Sequence, residues 1–207
     1  MKLYTTLGAP NPRRVSIFLA EKAIDIQQHQ VDIGKGEHLT AAYAAINPLR
    51  QMPALVFDDG MVLTESVAIC RYFEDIQPAP PLFGTNALDR AQVEMWQRRM
   101  ELVLFRNVAN VFRHSHPFMV GIEVPQIAAL AEACRPRALE FLEFLDGELA
   151  TRPFVAGENF TIADITGLVA VEFMRPARIR LPPALVHVSR WVAAVSARPS
   201  ARAGAWT

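Results

Sequence analysis

The residues best suited to chemistry fall in two short stretches. In the first, Ala9-Pro10-Asn11-Pro12 separates an extended N-terminal run from a helical pattern. Asn11 followed by Pro12 reads as a helix N-cap and first helical residue. In the second, Pro53 stands directly before the apolar run Ala54-Leu55-Val56-Phe57. Proline cannot donate to a ladder, so it marks the first residue of a strand. Asp58-Asp59-Gly60 then turns the chain, a strong hairpin signal, and a second short run follows. Thr64-Glu65-Ser66 opens the helical pattern of Val67, Ile69, Cys70, Tyr72 and Phe73, where hydroxyls and a carboxylate suit a helix N-terminus. A proline-fixed loop followed by a helix end with free N–H donors can hold something peptide-like and anionic.

These stretches need a scaffold, and residues 1–76 supply the signals for one. Leu3 to Thr5 is short and extended, Arg13 to Lys22 is helical, and Gln28 to Asp32 reads as a second strand. Leu39 to Ala45 is alanine-rich and helix-prone. The proline-led hairpin and the helix from Val67 to Glu74 complete a βαβαββα order, in which strand, helix, strand predicts a parallel pair with a crossover. Pro78, Pro80 and Pro81 cannot continue a helix, so residues 77–86 read as a linker. Residues 87–207 are helical by pattern. Val93, Trp96, Met100, Val103 and Leu104 mark a long helix from Leu88 to Val111. A second helix includes Pro136, Phe141, Leu142 and Leu145, its start limited by Pro125 and Pro136. Thr161 with Asp164 forms a variant capping box, and a last helix runs from about Leu185 to Ala197. The fold class is α/β plus all-α.

The central stretch, with Asn47-Pro48, Met52-Pro53-Ala54-Leu55 and Glu65-Ser66, resembles the thioredoxin-like domain of glutathione S-transferases, and bacterial theta- and nu-like members in particular. Lys2-Leu3-Tyr4-Thr5 is similar to that family's first strand, and Phe160-Thr161-Ile162-Ala163-Asp164-Ile165 to the box in its C-terminal helical domain. The resemblance covers nearly the whole chain. It implies a cis peptide at Pro53 and pairing of the Met52 backbone with the cysteinyl part of glutathione. It also implies that Glu65 and Ser66 hold the γ-glutamyl end. Lys35 and His38 lie where the family places a contact to the glycyl carboxylate. Gln51 and Arg50 flank the proline loop and could do the same. For Lys35 and Arg50, solvated loop residues are an equal reading.

The resemblance also implies that the first strand–helix turn stabilises the glutathione thiolate. A free thiol titrates near ~8.5, and lowering it by two units needs about 2.7 kcal/mol. A helix N-terminus contributes roughly 0.3–1 kcal/mol and a hydrogen bond to a charged group roughly 1.5–3 kcal/mol. One side-chain donor plus the helix end therefore suffices. Ala9 and Pro10 stand where many members carry serine or cysteine, and neither has a side-chain donor. Three readings stay open: Asn11 donates through its amide; Asn11 only caps the helix while backbone N–H groups act; or Thr5, Thr6 or Tyr4 donates. The second substrate is expected against the helical domain, at Phe105, Phe112, His114 and His116. His114 and His116 would not share a helix face and have no third ligand near them, so no metal is expected.

The chain has 207 residues, 51% of them hydrophobic, and a formal charge of zero, so a sizeable core is available and nucleic acid or an anionic membrane is not an expected partner. Its two cysteines, Cys70 and Cys134, make neither a disulfide framework nor a metal spacing and read as buried thiols. No apolar stretch approaches the ~20 residues of a membrane span, and the N-terminus runs straight into a strand pattern, so a cytoplasmic protein is expected. The resemblance implies a homodimer that joins the glutathione thiolate to a small electrophile. Two alternatives stand: a glutathione-dependent disulfide reductase, suggested by the Pro-Asn step, and a non-catalytic glutathione-binding scaffold.

Overall fold

Strand β1 (Lys2–Thr5) turns Leu3 and Thr5 inward, and the remaining strands are built out from it. In this computed structural model, which describes residues 1–205, β1 pairs in parallel with β2 (Gln27–Gln30) and antiparallel with β3 (Ala54–Val56). The hairpin partner of β3 is β4 (Val62–Thr64), giving the order β2-β1-β3-β4. All of β2 is polar and exposed, as suits a short edge strand. Its sequence, Gln-Gln-His-Gln, has no apolar period, so β1 templates it.

Helix α1 (Pro10–Glu21) buries Val15, Ile17, Phe18 and Leu19, and α3 (Ser66–Ile76) packs on it through Ile69, Cys70 and Phe73. The short α2 (Ala41–Ile46) is capped by Thr40, whose hydroxyl accepts from the Tyr43 N–H. Lys22, at the end of α1, is a buried cation that periodicity does not reveal. Its ammonium lies 2.5 Å from Glu74 and donates to the carbonyls of Gln77 and Pro80, each at 2.7 Å. Those acceptors satisfy the ammonium and tie the proline-rich segment to α1 and α3.

The chain divides into two compact units within the expected linker, after Pro81. The structure differs from expectation at the other end: residues 199–205 belong to the first unit, not to the helical one. The Arg13 guanidinium donates to the Ala201 carbonyl at 2.7 Å, and the Gly8 N–H to the Gly204 carbonyl at 2.9 Å. Gly204 sits at φ +68°, and a Cβ there would lie 2.8 Å from the Ser16 Oγ, so this strap needs glycine.

The second unit is all-helical. Helix α4 (Ala87–Arg99) continues through a π-helical stretch, Met100–Phe105, into α5 (Arg106–Ser115). Wider turns displace the backbone pairing, and the Asn107 amide donates to the Val103 carbonyl at 2.6 Å. Helix α6 (Ala128–Leu149) starts three residues after Pro125 and runs through Pro136 without a break. Helix α7 (Ile162–Phe173) is buried over most of its length, and α8 (Val186–Ser196) sets Trp191 against it. Gly167 permits that approach, because a Cβ there would lie 2.8 Å from the Trp191 ring. The capping box at Thr161 and Asp164 is present as expected.

Candidate functional site

Sheet register gathers the candidate residues. Thr5 pairs with Gln30, Tyr4 with Ala54, and Ala54 with Thr64. The ends of β1, β2 and β4 and the start of β3 therefore share one edge of the sheet. The turn to Asn11, the segment with Lys35 and His38, the loop with Gln51, Met52 and Pro53, and the Glu65–Ser66 step all leave or enter at that edge.

The helix α1 start corrects one expectation. Its N-cap is Ala9, with extended φ −78° and ψ 136° and no side-chain bond, so Asn11 is not the cap. Pro10 explains the shift, since its fixed φ suits the first helical position. Pro10 and Pro12 have no N–H, and the Arg13 N–H is tied to the Ala9 carbonyl at 3.0 Å. Asn11 consequently holds the sole backbone donor of positions 10–12. Its side-chain oxygen accepts from the Arg14 guanidinium. A guanidinium can only donate, so this contact fixes the amide orientation and leaves the Asn11 NH2 as a second donor. Arg14 itself is buried. Among the other candidates in this turn, Thr5 is buried, and the Tyr4 ring lies 5.0 Å from His29 and 6.2 Å from Tyr43.

The Met52–Pro53 peptide is cis. Two residues that sequence reasoning left unassigned set its loop. The Tyr43 hydroxyl and the Asn47 amide both donate to the Gln51 carbonyl, at 2.7 and 2.8 Å, and the Asn47 oxygen accepts from the Leu49 N–H at 3.1 Å. Asn47 is buried, and burial pushes the Tyr43 phenol up to about 12, keeping it a donor at ordinary pH. The Asn47-Pro48 step was the available sequence signal for this clamp. Gln51 itself is exposed, as is Arg50.

Glu65 and Ser66 open α3. Glu65 is its N-cap at φ +68°, a conformation rare for a residue with a Cβ. The Glu65 carboxylate is exposed and makes no capping bond, while Ser66 is buried at the first helical position. Neither side chain has a protein hydrogen-bond partner among the described residues. Strain of this kind concentrates at ligand-binding positions, and the first N–H groups of α3 are unpaired by helix geometry.

Lys35 and His38 differ from each other. Lys35 is extended into solvent, and its ammonium lies 3.1 Å from Asp32. His38 is half-buried, and its Nδ1 is buried without a hydrogen-bond partner. Beside it, Glu37 accepts from the Asp32 N–H at 2.7 Å and meets His29 at 2.8 Å; these bonds hold its carboxyl below the usual range.

In the helical unit, Phe105 and Phe112 meet Phe173 at a tilt, with centroids 6.2 and 4.9 Å apart, and Phe112 stacks on His116 at 4.6 Å. His114 is buried, and its Nδ1 accepts from the Ile127 N–H at 3.2 Å. The His116 Nδ1 accepts from the Phe118 N–H at 3.1 Å. Both imidazoles therefore have structural work in the turn after α5. Trp96 is buried between Phe144 and the Arg99 and Arg152 guanidiniums. Cys70 and Cys134 are free and buried, and burial drives the Cys70 thiol far above its ordinary value, so it is no nucleophile. Among the described residues no group of acidic, histidine and cysteine side chains could hold a metal, and no helix is long and apolar enough to cross a membrane.

A thioredoxin-like unit with a cis-proline loop beside a helix N-terminus, joined to an all-helical unit, is the glutathione transferase fold. The glutathione S-transferase N-terminal domain family matches residues 9–76, and the C-terminal domain family matches residues 108–199. Glutathione S-transferase 2 of Saccharomyces cerevisiae is 31% identical over 205 residues, spanning 98% of this chain and 88% of that protein. The rat theta-1 enzyme is 30% identical, spanning 85% and 73%. Among solved structures, a glutathione S-transferase domain-containing protein from Marinobacter aquaeolei VT8 superposes with TM-score 0.93 at 35% identity, covering 97% of this chain and 99% of that one. Yeast Gtt2 superposes with TM-score 0.91 at 32% identity, covering 97% and 98%. The chain belongs to the glutathione S-transferase family and is an enzyme of the transferase class.

Proposed function

We propose that the enzyme binds glutathione along the gathered edge of the sheet and joins its thiolate to a small electrophile, the new S–C bond forming as the electrophile's leaving group departs or its π bond opens. The observation that carries this reading is the Glu65–Ser66 step. A carboxylate on a strained backbone and a serine hydroxyl, neither with a protein partner among the described residues, stand at a helix N-terminus beside a cis-proline loop. The free carboxylate suits the γ-glutamyl ammonium, and the hydroxyl and helix N–H groups suit its carboxylate. Met52 offers backbone groups to the cysteinyl residue. The unsatisfied His38 Nδ1 suits the glycyl end better than Lys35, which Asp32 already pairs. Glutathione supplies the nucleophile once its thiol is ionised. Asn11 supplies the donor that favours ionisation, and the second substrate packs on the Phe105, Phe112 and Phe173 rings. Conjugation stands ahead of disulfide reduction because an apolar aromatic cluster suits an electrophile with an apolar body. The chain's own buried cysteines take no part.

Ser66→Ala removes one charge-assisted hydrogen bond and should weaken glutathione binding by about 1.5–3 kcal/mol, roughly ten- to hundred-fold. Isothermal calorimetry reads this directly, and an unchanged affinity would place glutathione elsewhere.

The enzyme acts as a cytoplasmic homodimer in this reading. Leu88, Met95 and Leu102 recur every seven residues along α4 and the π stretch, and they are 70%, 40% and 41% exposed. Such a stripe suits a partner helix, with the exposed Arg71 and Arg98 and the half-buried Tyr72 as polar contacts. Light scattering at micromolar concentration should give twice the chain mass of 23.0 kDa; the single mass would contradict the dimer.

A further inference from the structure

Leu3 and Thr5 bury one face of β1, so Tyr4 stands on the other. There it meets its cross-strand partner on β2, His29, with ring centroids 5.0 Å apart. Tyr43 of α2 meets the same Tyr4 ring edge-on at 6.2 Å, and its hydroxyl donates to the Gln51 carbonyl. A row of rings, Tyr43–Tyr4–His29, thus runs from the cis-proline loop to the edge strand. Every residue of β2 is exposed, so His29 does not fill a core.

Glu37 ends the row. One of its carboxylate oxygens meets the His29 Nε2 at 2.8 Å, and the other accepts from the Asp32 N–H at 2.7 Å. The Glu37 N–H donates back to the Asp32 carbonyl at 3.0 Å, which closes residues 32–37 into one turn. The Thr40 hydroxyl donates to the Glu37 carbonyl at 2.8 Å and caps α2 through its oxygen, so the turn is also tied to that helix. The Asp32 N–H first, and His29 second, hold the Glu37 carboxyl below its usual range. The next residue is His38, half-buried, with its Nδ1 lacking a hydrogen-bond partner among the described residues. A carboxylate one residue from an anion contact would repel the anion if it faced it. Here both of its oxygens are engaged by His29 and Asp32 instead.

We propose that Glu37 and His29 are positioning residues that hold His38 at the glycyl carboxylate and so set the preference for glutathione over γ-glutamylcysteine, which lacks the glycine. The proposal rests on the glycyl role given to His38 above. Neither Glu37 nor His29 touches the ligand. The bracket acts before binding, because a turn already fixed loses little freedom when the carboxylate arrives. Specificity is a difference of two affinities, and only glutathione reaches the end of the site that the bracket fixes.

Isothermal calorimetry with glutathione and with γ-glutamylcysteine tests this. The parent should bind glutathione at least tenfold more tightly. Glu37→Ala should weaken glutathione at least fivefold and leave γ-glutamylcysteine within twofold. His29→Ala should act in the same direction by at least twofold, and the double variant should be no weaker than Glu37→Ala alone, because the two residues share one contact. In a His38→Ala background, Glu37→Ala should cost nothing further. Ser66→Ala should weaken both thiols alike, since it acts at the γ-glutamyl end. Equal loss of both thiols in Glu37→Ala would show a general support of the sheet edge and overturn the proposal. A further loss in the His38→Ala background would do the same, because Glu37 would then act by another route. Parent-like glutathione binding by Glu37→Ala, with His38→Ala weakened, would overturn the proposal alone. Parent-like binding of both thiols by His38→Ala would overturn the glycyl reading and the proposal with it.

Discussion

Asn11→Asp should lower turnover of an aryl halide at pH 7 by a hundredfold or more, with glutathione affinity within about threefold of the parent. The exchange replaces an NH2 donor by an oxygen that repels the thiolate. Losing a hydrogen bond to a charged group costs about 1.5–3 kcal/mol. A carboxylate 4 Å from the thiolate adds about 4 kcal/mol at an effective dielectric of 20, an upper figure because the Arg14 guanidinium would partly neutralise it. Each 1.36 kcal/mol raises the bound thiol by about one pKa unit, so activity should return as pH rises towards 9 and beyond. Folding should not suffer: Ala9 caps the helix, and a carboxylate would keep the Arg14 contact as an ion pair. Asn11→Ala should fall between, with the thiol raised by one to two units. Near-ultraviolet absorbance of the bound thiolate, followed against pH, measures all three proteins. Parent-like turnover by Asn11→Asp would show that the amide has no role, and Thr5, Thr6 and Tyr4 would be examined next.

Asp164→Asn should lower unfolding free energy by at least about 3 kcal/mol at pH 7, a large part of the 5–15 kcal/mol typical of a domain. The Asp164 carboxyl is fully buried and accepts from the Val155 N–H, the Trp191 indole and the Thr161 N–H, at 2.9, 2.8 and 2.9 Å, and from the Thr161 hydroxyl at 3.2 Å. An amide accepts on one oxygen only, so its NH2 would face donors, and each donor left unpaired costs about 1–3 kcal/mol. The pH dependence has a definite sign. Burial raises this carboxyl to about 6, and the four donors only partly oppose that. Between about pH 4 and pH 6 the folded chain holds a proton that the unfolded chain, titrating near ~3.9, has released. Stability from this group is therefore fully present below pH 4 and is lost as pH rises through 6, by roughly 3 kcal/mol in total. The advantage of the parent over Asp164→Asn should accordingly be larger at pH 4.5 than at pH 7. Urea unfolding followed by circular dichroism decides it. A variant within 1 kcal/mol of the parent, or a gap that widens with pH, would refute this account of the residue.

Sequence alone determined what is local. Pro53 before an apolar run, the Asp-Asp-Gly turn, the helix opening at Glu65–Ser66 and the Thr161–Asp164 box each act over a few residues, so their signals survive without tertiary context. The two-part organisation was legible for the same reason, because Pro78, Pro80 and Pro81 act on their own backbone. What the tertiary structure decided is mostly a matter of partners far along the chain. Strand β2 has no apolar alternation and is a strand because β1 offers it a ladder. Residues 199–205 join the first unit through Gly204 and Ala201, contacts that no pattern within that segment encodes. Lys22 reads as a solvated helix end until Glu74 and the carbonyls of Gln77 and Pro80 surround it. Asn11 read as a cap because Asn-Pro is a frequent helix start, yet Pro10 satisfies the same preference two residues earlier and leaves Asn11 inside the helix with its donors free. The gathering of Asn11, His38, Met52, Glu65 and Ser66 at one edge comes from strand register. Register is set by which side chains can be buried together across the sheet, a property of the whole domain that no single segment carries.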